Sequence, residues 1–183
     1  MQRVISAGII IFRRTKEGPK FLILYHGRNY WNFPKGKMEG EEQTWQTALR
    51  EVREETGLKP NELRFTRDFK TKEQFFYQRG VERVFKVVIL YLAETRQAKI
   101  TVSDEHEGYG WFTYSEAKHI LSKYKDSLKI LDNAYNFLRR GGVPSRRPNP
   151  QGPHPHVQRS GAESRPSQSL PRGREHPAPE PRH

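Results

Sequence analysis

The segment that most constrains this chain is crowded with glutamates, GKMEGEEQTWQTALREVREETGL at residues 36–58. Apolar side chains spaced along one face predict an amphipathic helix over residues 44–56. On that helix Glu51, Glu54 and Glu55 are three and four residues apart, so one face carries three carboxylates about 5–6 Å apart. Like charges placed so closely repel each other, which is unfavourable for a helix that is only structural.

Two interpretations of this helix are open from its residues. Arg50 and Arg53 give partial charge relief, as in a solvated surface helix held by salt bridges. A glycine-rich loop containing a further carboxylate, Glu42, precedes the helix, however, and Gly57 is placed to end it as a left-handed cap. Clustered oxygen ligands suit Mg²⁺ or Mn²⁺, which bind carboxylates together with substrate phosphates. The surroundings of the helix therefore favour a divalent-metal site.

The same segment resembles the Nudix box, G-x5-E-x7-R-E-U-x-E-E-x-G-U, in which U is a bulky aliphatic residue. Every defined position is matched, by Gly36, Glu42, Arg50, Glu51, Val52, Glu54, Glu55, Gly57 and Leu58. The resemblance implies an α/β/α sandwich with a mixed β-sheet. It also implies a hydrolase that depends on a divalent metal and splits a pyrophosphate bond in a nucleoside diphosphate linked to another moiety.

The resemblance also implies roles for the polar residues of the box. Glu51, Glu54 and Glu55 are expected to bind Mg²⁺, with Mn²⁺ as an alternative ion. Glu54 and Arg50 are expected to be catalytic, Arg50 by holding a box glutamate in place through an ion pair. Glu42 is expected to be a structural carboxylate or one close to the metal.

Outside the box, two further motifs resemble the asymmetrical diadenosine tetraphosphate hydrolases. Residues 31–37, WNFPKGK, lead into the box, and residues 105–111, EHEGYGW, follow the predicted hairpin. The second motif matches a family E-H-x-x-Y-x-W run through Glu105, His106, Tyr109 and Trp111. By this resemblance Glu105 is a fourth carboxylate that binds metal or acts as the general base. For Trp111, packing in the core is the favoured interpretation.

Two positions depart from that family's pattern. Lys37 replaces a histidine and keeps a positive charge that can reach phosphate. Leu90 replaces a tyrosine that helps to hold a base, and Tyr91, one position on, is expected to face the other side of the strand.

The substrate-binding residues are predicted with these departures in view. Lys35, Lys37 and Lys86 are the cations expected on the polyphosphate, and base stacking is assigned to Tyr77 or Tyr109, with Phe76 as an alternative. Packing within the hairpin is an equally good interpretation of Tyr77 and Phe76. The histidines His26, His106 and His119 are given no role.

The predicted reaction is hydrolysis of dinucleoside polyphosphates, such as diadenosine tetraphosphate, to ATP and AMP. The net charge of +12 suits an anionic substrate without identifying it. Alternatives are an RNA 5′-end pyrophosphohydrolase or decapping enzyme, and a diphosphoinositol polyphosphate hydrolase. A non-catalytic nucleotide-binding module is disfavoured, because the box is complete.

Composition divides the chain into a Nudix domain at residues 1–140 and a tail at residues 141–183. The tail holds 10 of the 13 prolines and no aromatic residue, and its net charge is +4. Such a composition predicts disorder, with weak contact to RNA or to an acidic partner as an alternative role. The absence of cysteine excludes disulfides and a thiol nucleophile. With no long apolar run, a cytoplasmic protein without a membrane partner is expected.

The secondary structure predicted for residues 1–140 is mixed. Strands are expected at residues 4–12, 21–25, 63–77, 83–93 and 110–112, helices at 44–56, 115–121 and 126–138, and a loop at 27–40. The strands at 63–77 and 83–93 are expected to form a hairpin.

Overall fold

The computed structural model of this chain describes residues 1–144. The strands are β1 (Gln2–Thr15), β2 (Gly18–Tyr25), β3 (Trp31–Asn32), β4 (Lys35–Lys37), β5 (Arg64–Phe65), β6 (Thr71–Arg79), β7 (Glu82–Glu94) and β8 (Gly108–Thr113). The helices are α1 (Thr44–Thr56), α2 (Tyr114–Ile120) and α3 (Lys125–Arg139), with a 3₁₀ turn at Pro60–Glu62. The predicted disordered tail lies outside the described residues from residue 145 onward.

All eight strands form one mixed sheet with β1 at its centre. The main order is β3-β2-β1-β7-β5, with β4 paired to β1, β6 to β7 and β8 to β2. The long β1–β7 pair is parallel and all the other pairs are antiparallel. The unbroken run of apolar residues in β1 is explained by this position, because both faces of the strand are covered.

The two faces of the sheet carry separate hydrophobic cores. On one face, Ile9, Ile11 and Tyr91 pack with α1, whose buried residues include Ala48 and Val52. On the other, alternate residues of the same strands pack with α2 and α3; these include Ile10, Phe12, Leu90, Ala117 and Leu131. The expected α/β/α sandwich with a mixed sheet is confirmed. Leu90 and Tyr91 lie on opposite faces, as the alternation of a strand requires.

Helix α1 has the boundaries predicted from the sequence. Its end is set by Gly57, which has φ 72° and donates its backbone N–H to the carbonyl of Arg53 at 3.0 Å. A residue with a Cβ would be strained in this left-handed conformation. The box helix is therefore fixed at its end by the glycine that the motif requires.

The predicted strand at residues 63–77 is wrong in its continuity. Residues 66–70 leave the ladder between β5 and β6, with Asp68 in the left-handed region at φ 63°. Phe69 lies in this excursion and packs with Phe137 of α3, with ring centroids 5.2 Å apart. In this interruption Phe69 leaves the strand pattern and joins the second hydrophobic core.

The predicted hairpin is present as β6 and β7, joined at Gly80 and Val81. Two short strands, β3 and β4, lie within the predicted loop at residues 27–40. Pairing of β4 with β1 is what brings the start of the box next to the centre of the sheet. Within residues 1–144, no helix is long and apolar enough to cross a membrane.

Candidate active site

The contact between β4 and α1 forms the floor of the candidate site. Gly36 pairs with Ala7 of β1 and lies against the side chain of Glu51. A Cβ atom at residue 36 would be 1.9 Å from the carboxyl carbon of Glu51, which no non-bonded contact allows. A side chain at residue 36 would therefore displace the Glu51 carboxylate from its place against β4.

Arg50 links the carboxylates of the box. Its Nε donates to Glu42 Oε1 at 2.7 Å, and its Nη1 donates to both Glu51 Oε1 at 2.9 Å and Glu54 Oε2 at 3.2 Å. A further bond of 2.8 Å reaches the backbone carbonyl of Lys37. Hydrogen bonds from Arg50 lower the pKa of Glu42 to about 2. Hydrogen bonds to Glu42 and Glu51 raise the pKa of Arg50. The guanidinium joins the loop, β4 and the helix in one charged network.

Glu55 lies deeper than the other box glutamates and is 8% exposed. Its Oε2 accepts a hydrogen bond from the backbone N–H of Lys35 at 3.1 Å. Burial and, to a smaller extent, the charges of Glu51 and Glu105 raise the pKa of Glu55 to about 8, although that hydrogen bond and the charge of Lys35 act in the opposite direction. Burial also raises the pKa of Glu51. Both carboxylates lie where additional positive charge would stabilise their ionised forms.

These carboxylates fit a divalent cation by their chemistry, although they are not gathered into a finished metal site. Within residues 1–144, no three His, Asp or Glu side chains already surround one point. Nη1 of Arg50 donates to both Glu51 and Glu54, so an ion pair already engages these two carboxylates. Glu51, Glu54 and Glu55 nevertheless present carboxylate oxygens on one helix face, and these are the ligands that Mg²⁺ or Mn²⁺ prefers.

The loop that follows β7 brings Glu105 to this face. Backbone bonds from Thr101 to the Thr56 carbonyl at 3.1 Å and from Ser103 to the Glu55 carbonyl at 3.3 Å fasten the loop to the end of α1. These bonds satisfy carbonyls that a helix end otherwise leaves unpaired. Glu105 is solvent-exposed and close enough for its charge to raise the pKa of Glu55. The predicted fourth carboxylate therefore lies beside the box.

A pair of histidines lies behind Glu55. The ring of His106 is 4.4 Å from that of His26, and its Nε2 is 3.9 Å from Glu55 Oε1. Nδ1 of His106 contacts the Ser103 hydroxyl at 3.0 Å, whereas Nε2 of each histidine is buried without a hydrogen-bond partner among the described residues. Burial lowers the pKa of both rings, that of His26 to about 4. Two neutral imidazoles therefore line this wall, where the sequence assigned His26 and His106 no role.

Beyond Lys35 the site continues onto the sheet face that α3 covers, here called the cleft face. Cross-strand register and alternation place six polar and aromatic side chains on it: Lys35, Lys37, Glu73, Phe75, Tyr77 and Lys86. The rings of Phe75 and Tyr77 are 6.4 Å apart, and the Lys86 ammonium is 6.0 Å from the Phe75 ring. Cations and aromatic rings thus occur together next to the box.

Charges on the cleft face are strongly coupled. Burial lowers the pKa of Lys35 and of Lys86, and the positive charge of Lys35 also lowers the pKa of Lys86. Burial raises the pKa of Glu73, as does the charge of Asp126 at the start of α3. Oε1 of Glu73 is buried without a hydrogen-bond partner among residues 1–144. A ligand that carries both phosphates and hydrogen-bond donors would complement this face.

One predicted substrate-binding residue, Tyr109, lies away from the cleft face. Tyr109 of β8 packs against the core beneath α1, and its hydroxyl accepts a hydrogen bond from the Ile100 backbone at 3.3 Å. Lys37 shares a face of β4 with Lys35 and has an exposed side chain, whose charge lowers the pKa of Lys86. Its backbone carbonyl accepts a hydrogen bond from Arg50. Trp111 packs against the same core as Tyr109. The structure therefore brings Tyr77, Lys35 and Lys86 together and leaves Tyr109 apart from them.

Sequence reasoning missed Glu73, Phe75 and the pairing of His26 with His106. Alternation along a strand puts Glu73, Phe75 and Tyr77 on one face, but the consecutive aromatic residues 75–77 hide this period in the sequence. Nothing local marks His26, because its partner is 80 positions away in the sequence.

A family profile described as NUDIX domain matches residues 2–134. The asymmetrical bis(5′-nucleosyl)-tetraphosphatases of pig and mouse are 33% and 32% identical to the chain over 143 residues, covering 73% of it and 94% of each relative. A crystal structure of a Caenorhabditis elegans Ap4A hydrolase binary complex superposes with a TM-score of 0.64 at 28% identity, covering 75% of this chain and 98% of that one.

Proposed function

This chain belongs to the Nudix family of pyrophosphohydrolases, and on that premise we propose that it cleaves dinucleoside polyphosphates such as diadenosine tetraphosphate to ATP and AMP. One observation carries the proposal. Lys35 joins the two halves of the site, because its backbone N–H binds Glu55 while its side chain lies on the cleft face with Lys86 and Tyr77. Charge for a phosphate chain and a ring for a base thus adjoin the box carboxylates.

Glu51, Glu54 and Glu55 would hold the divalent cation, which we take to be Mg²⁺, with Mn²⁺ as the alternative. A bound divalent cation neutralises phosphate charge and lowers the pKa of water. Arg50 positions Glu51 and Glu54 through its two hydrogen bonds and is itself held by Glu42. Its catalytic contribution is to fix these carboxylates, so a lysine, which lacks the forked donor geometry, would replace it poorly.

Substrate orientation is assigned to the cleft face. Lys35 and Lys86 bind the phosphate chain, with Lys37 at its solvent-exposed end, and Tyr77 stacks on the base beside Phe75. Burial of the two lysine side chains strengthens their attraction to phosphate, because water screens them less.

We propose that Glu105 is the general base that accepts a proton from the attacking water. This carboxylate is exposed to solvent, whereas Glu54 already accepts a hydrogen bond from Arg50. Water attacks the fourth phosphate from the bound adenosine, the bond between that phosphorus and the bridging oxygen breaks, and ATP leaves as AMP forms. Glu105→Gln should therefore lower kcat by about 10²–10⁴-fold with little change in KM.

Hydrolysis of diadenosine tetraphosphate in ¹⁸O-labelled water with Mg²⁺ tests the reaction. We expect equal amounts of ATP and AMP, with the label in AMP. ADP as the sole product would overturn the asymmetric cleavage. Parallel assays with diphosphoinositol phosphates and 5′-triphosphorylated RNA would identify either alternative by a higher kcat/KM.

A further inference from the structure

The β6–β7 hairpin carries aromatic side chains on both of its faces. Phe75 and Tyr77 lie on the cleft face, whereas Phe76 and Phe85 lie on the opposite face, with ring centroids 4.9 Å apart. Phe76 is 49% exposed. Packing inside the hairpin was one of two interpretations of Phe76 open from the sequence. It accounts for only part of the surface of the Phe76 ring, because the rest is exposed.

Arginines surround this second pair of rings. The Arg83 guanidinium carbon lies 4.3 Å from the centroid of the Phe76 ring. Arg3, the cross-strand partner of Phe85 on β1, is also exposed. We call these four residues the aromatic–arginine patch: Arg3, Phe76, Arg83 and Phe85. Such interleaving of aromatic rings with cations is typical of surfaces that bind single-stranded nucleic acid, where bases stack and phosphates pair with arginine.

We propose that the aromatic–arginine patch binds single-stranded RNA whose 5′ end occupies the cleft face. Because the proposed function is cleavage of a pyrophosphate bond next to a nucleoside 5′ position, this inference rests on it. A polynucleotide with such a bond at its end is RNA that still carries its initiating 5′-triphosphate. Since β6 pairs only with β7 among the described strands, the RNA can pass around this edge from Tyr77 to Phe76.

The positive charge around this patch favours RNA as its ligand over a second copy of the chain or the chain's own tail. The hairpin and its flanks, residues 70–86, carry five Lys or Arg and two Glu. A second copy of the chain would place like charges against each other, and the tail of this chain, at +4, is also basic. A polyanion gains from both the cations and the rings.

The first experiment measures binding without catalysis. Fluorescence anisotropy is recorded for a labelled 12-nucleotide oligouridylate with a 5′-hydroxyl end, using the full chain. We expect Phe76→Ala to weaken binding about 5- to 20-fold, and Arg83→Gln to weaken it several-fold and to reduce the salt slope by about one. Arg96→Gln, an equal loss of charge beyond the far end of β7, should have little effect. Unchanged affinity in both patch variants would overturn the proposal.

The second experiment uses RNA length. Wild-type protein should show a lower KM for a 5′-triphosphorylated 12-mer than for a triphosphorylated dinucleotide, and Phe76→Ala should remove that difference. Equal KM values in the wild type, or no hydrolysis of either RNA, would overturn the proposal. Loss of a dimer in Phe76→Ala, seen by light scattering, would assign the patch to a second copy instead. Turnover of diadenosine tetraphosphate, unchanged in both patch variants, reports separately on the proposed function.

Discussion

The box and the cleft face differ in how they are assembled. The network around Arg50 joins side chains from a single stretch, Glu42 to Glu54, and one backbone carbonyl a few residues earlier. The cleft face combines β4, β6 and β7, so Lys35 and Lys86 are 51 positions apart in the sequence. Chemistry common to a family is thus encoded locally, whereas the surface that selects a substrate depends on sheet register and changes with substitutions far from the box.

The largest effect is expected from Glu54→Gln, which tests the box, the region encoded by residues close together in the sequence. The substitution keeps the shape and removes the charge, so kcat should fall about 10²–10⁴-fold in an assay with Mg²⁺. The fold should survive, because one of three crowded negative charges has been removed. Thermal unfolding serves as the control, and near-normal turnover would exclude Glu54 from the metal and catalytic group.

Glu55 should make stability depend on pH. Its pKa is raised from 4.5 to about 8 in the folded chain, so its stabilising contribution is complete below pH 4.5 and is lost as pH rises through 8. With chelator present, the free energy of unfolding should fall between pH 5 and pH 8.5 by about 3 kcal/mol more in the wild type than in Glu55→Gln. Urea unfolding measures this difference, and parallel curves for the two proteins would contradict it.

Substitutions of two tyrosines test whether the cleft face binds the base of the substrate. Tyr77→Ala should raise KM for diadenosine tetraphosphate about 5- to 100-fold with kcat little changed, because a stacking platform is lost. Tyr109→Ala, which removes a ring that packs beneath α1, should lower the thermal midpoint and leave KM near the wild-type value. Steady-state kinetics with both variants decides the assignment; the reverse pattern would return base stacking to Tyr109.

The smallest effect is expected from the tail. Truncation after residue 144 should change neither the thermal midpoint nor the turnover of diadenosine tetraphosphate, since the removed residues include no aromatic side chain. Calorimetry of the truncated and full chains checks this. A loss of several degrees would show that the tail docks on the domain.

Prediction from the sequence succeeded where neighbouring residues determine the structure. The limits of α1 follow from its apolar spacing and from Gly57, and the box follows from fixed spacings within 23 residues. The break at residues 66–70 could not be predicted, because it depends on Phe69 reaching Phe137 in a helix at the other end of the domain. Alternation alone also cannot show that β7 pairs in parallel with β1.

In the candidate site, too, residues on one helix could be predicted, whereas residues brought together by the sheet could not. Glu51, Glu54 and Glu55 were identifiable from one helix face, while Glu73 was not, because its environment is created by Lys35, Lys86 and Asp126 from three other elements. Pairing of His26 with His106 likewise depends on the β2–β8 ladder, which brings the end of one strand to the start of the other.

The parallel pairing of β1 with β7 also determines when the chain can finish folding. During synthesis β2 and β4 emerge early and can cover one edge of β1, but the other edge has no partner until residues 82–94 have been made. Until then the apolar run at residues 4–12 presents an open strand edge, which is the kind of surface on which nascent chains aggregate. The rate of folding should therefore be limited by this long-range closure, and a chaperone that binds extended apolar segments would find its site at the amino terminus.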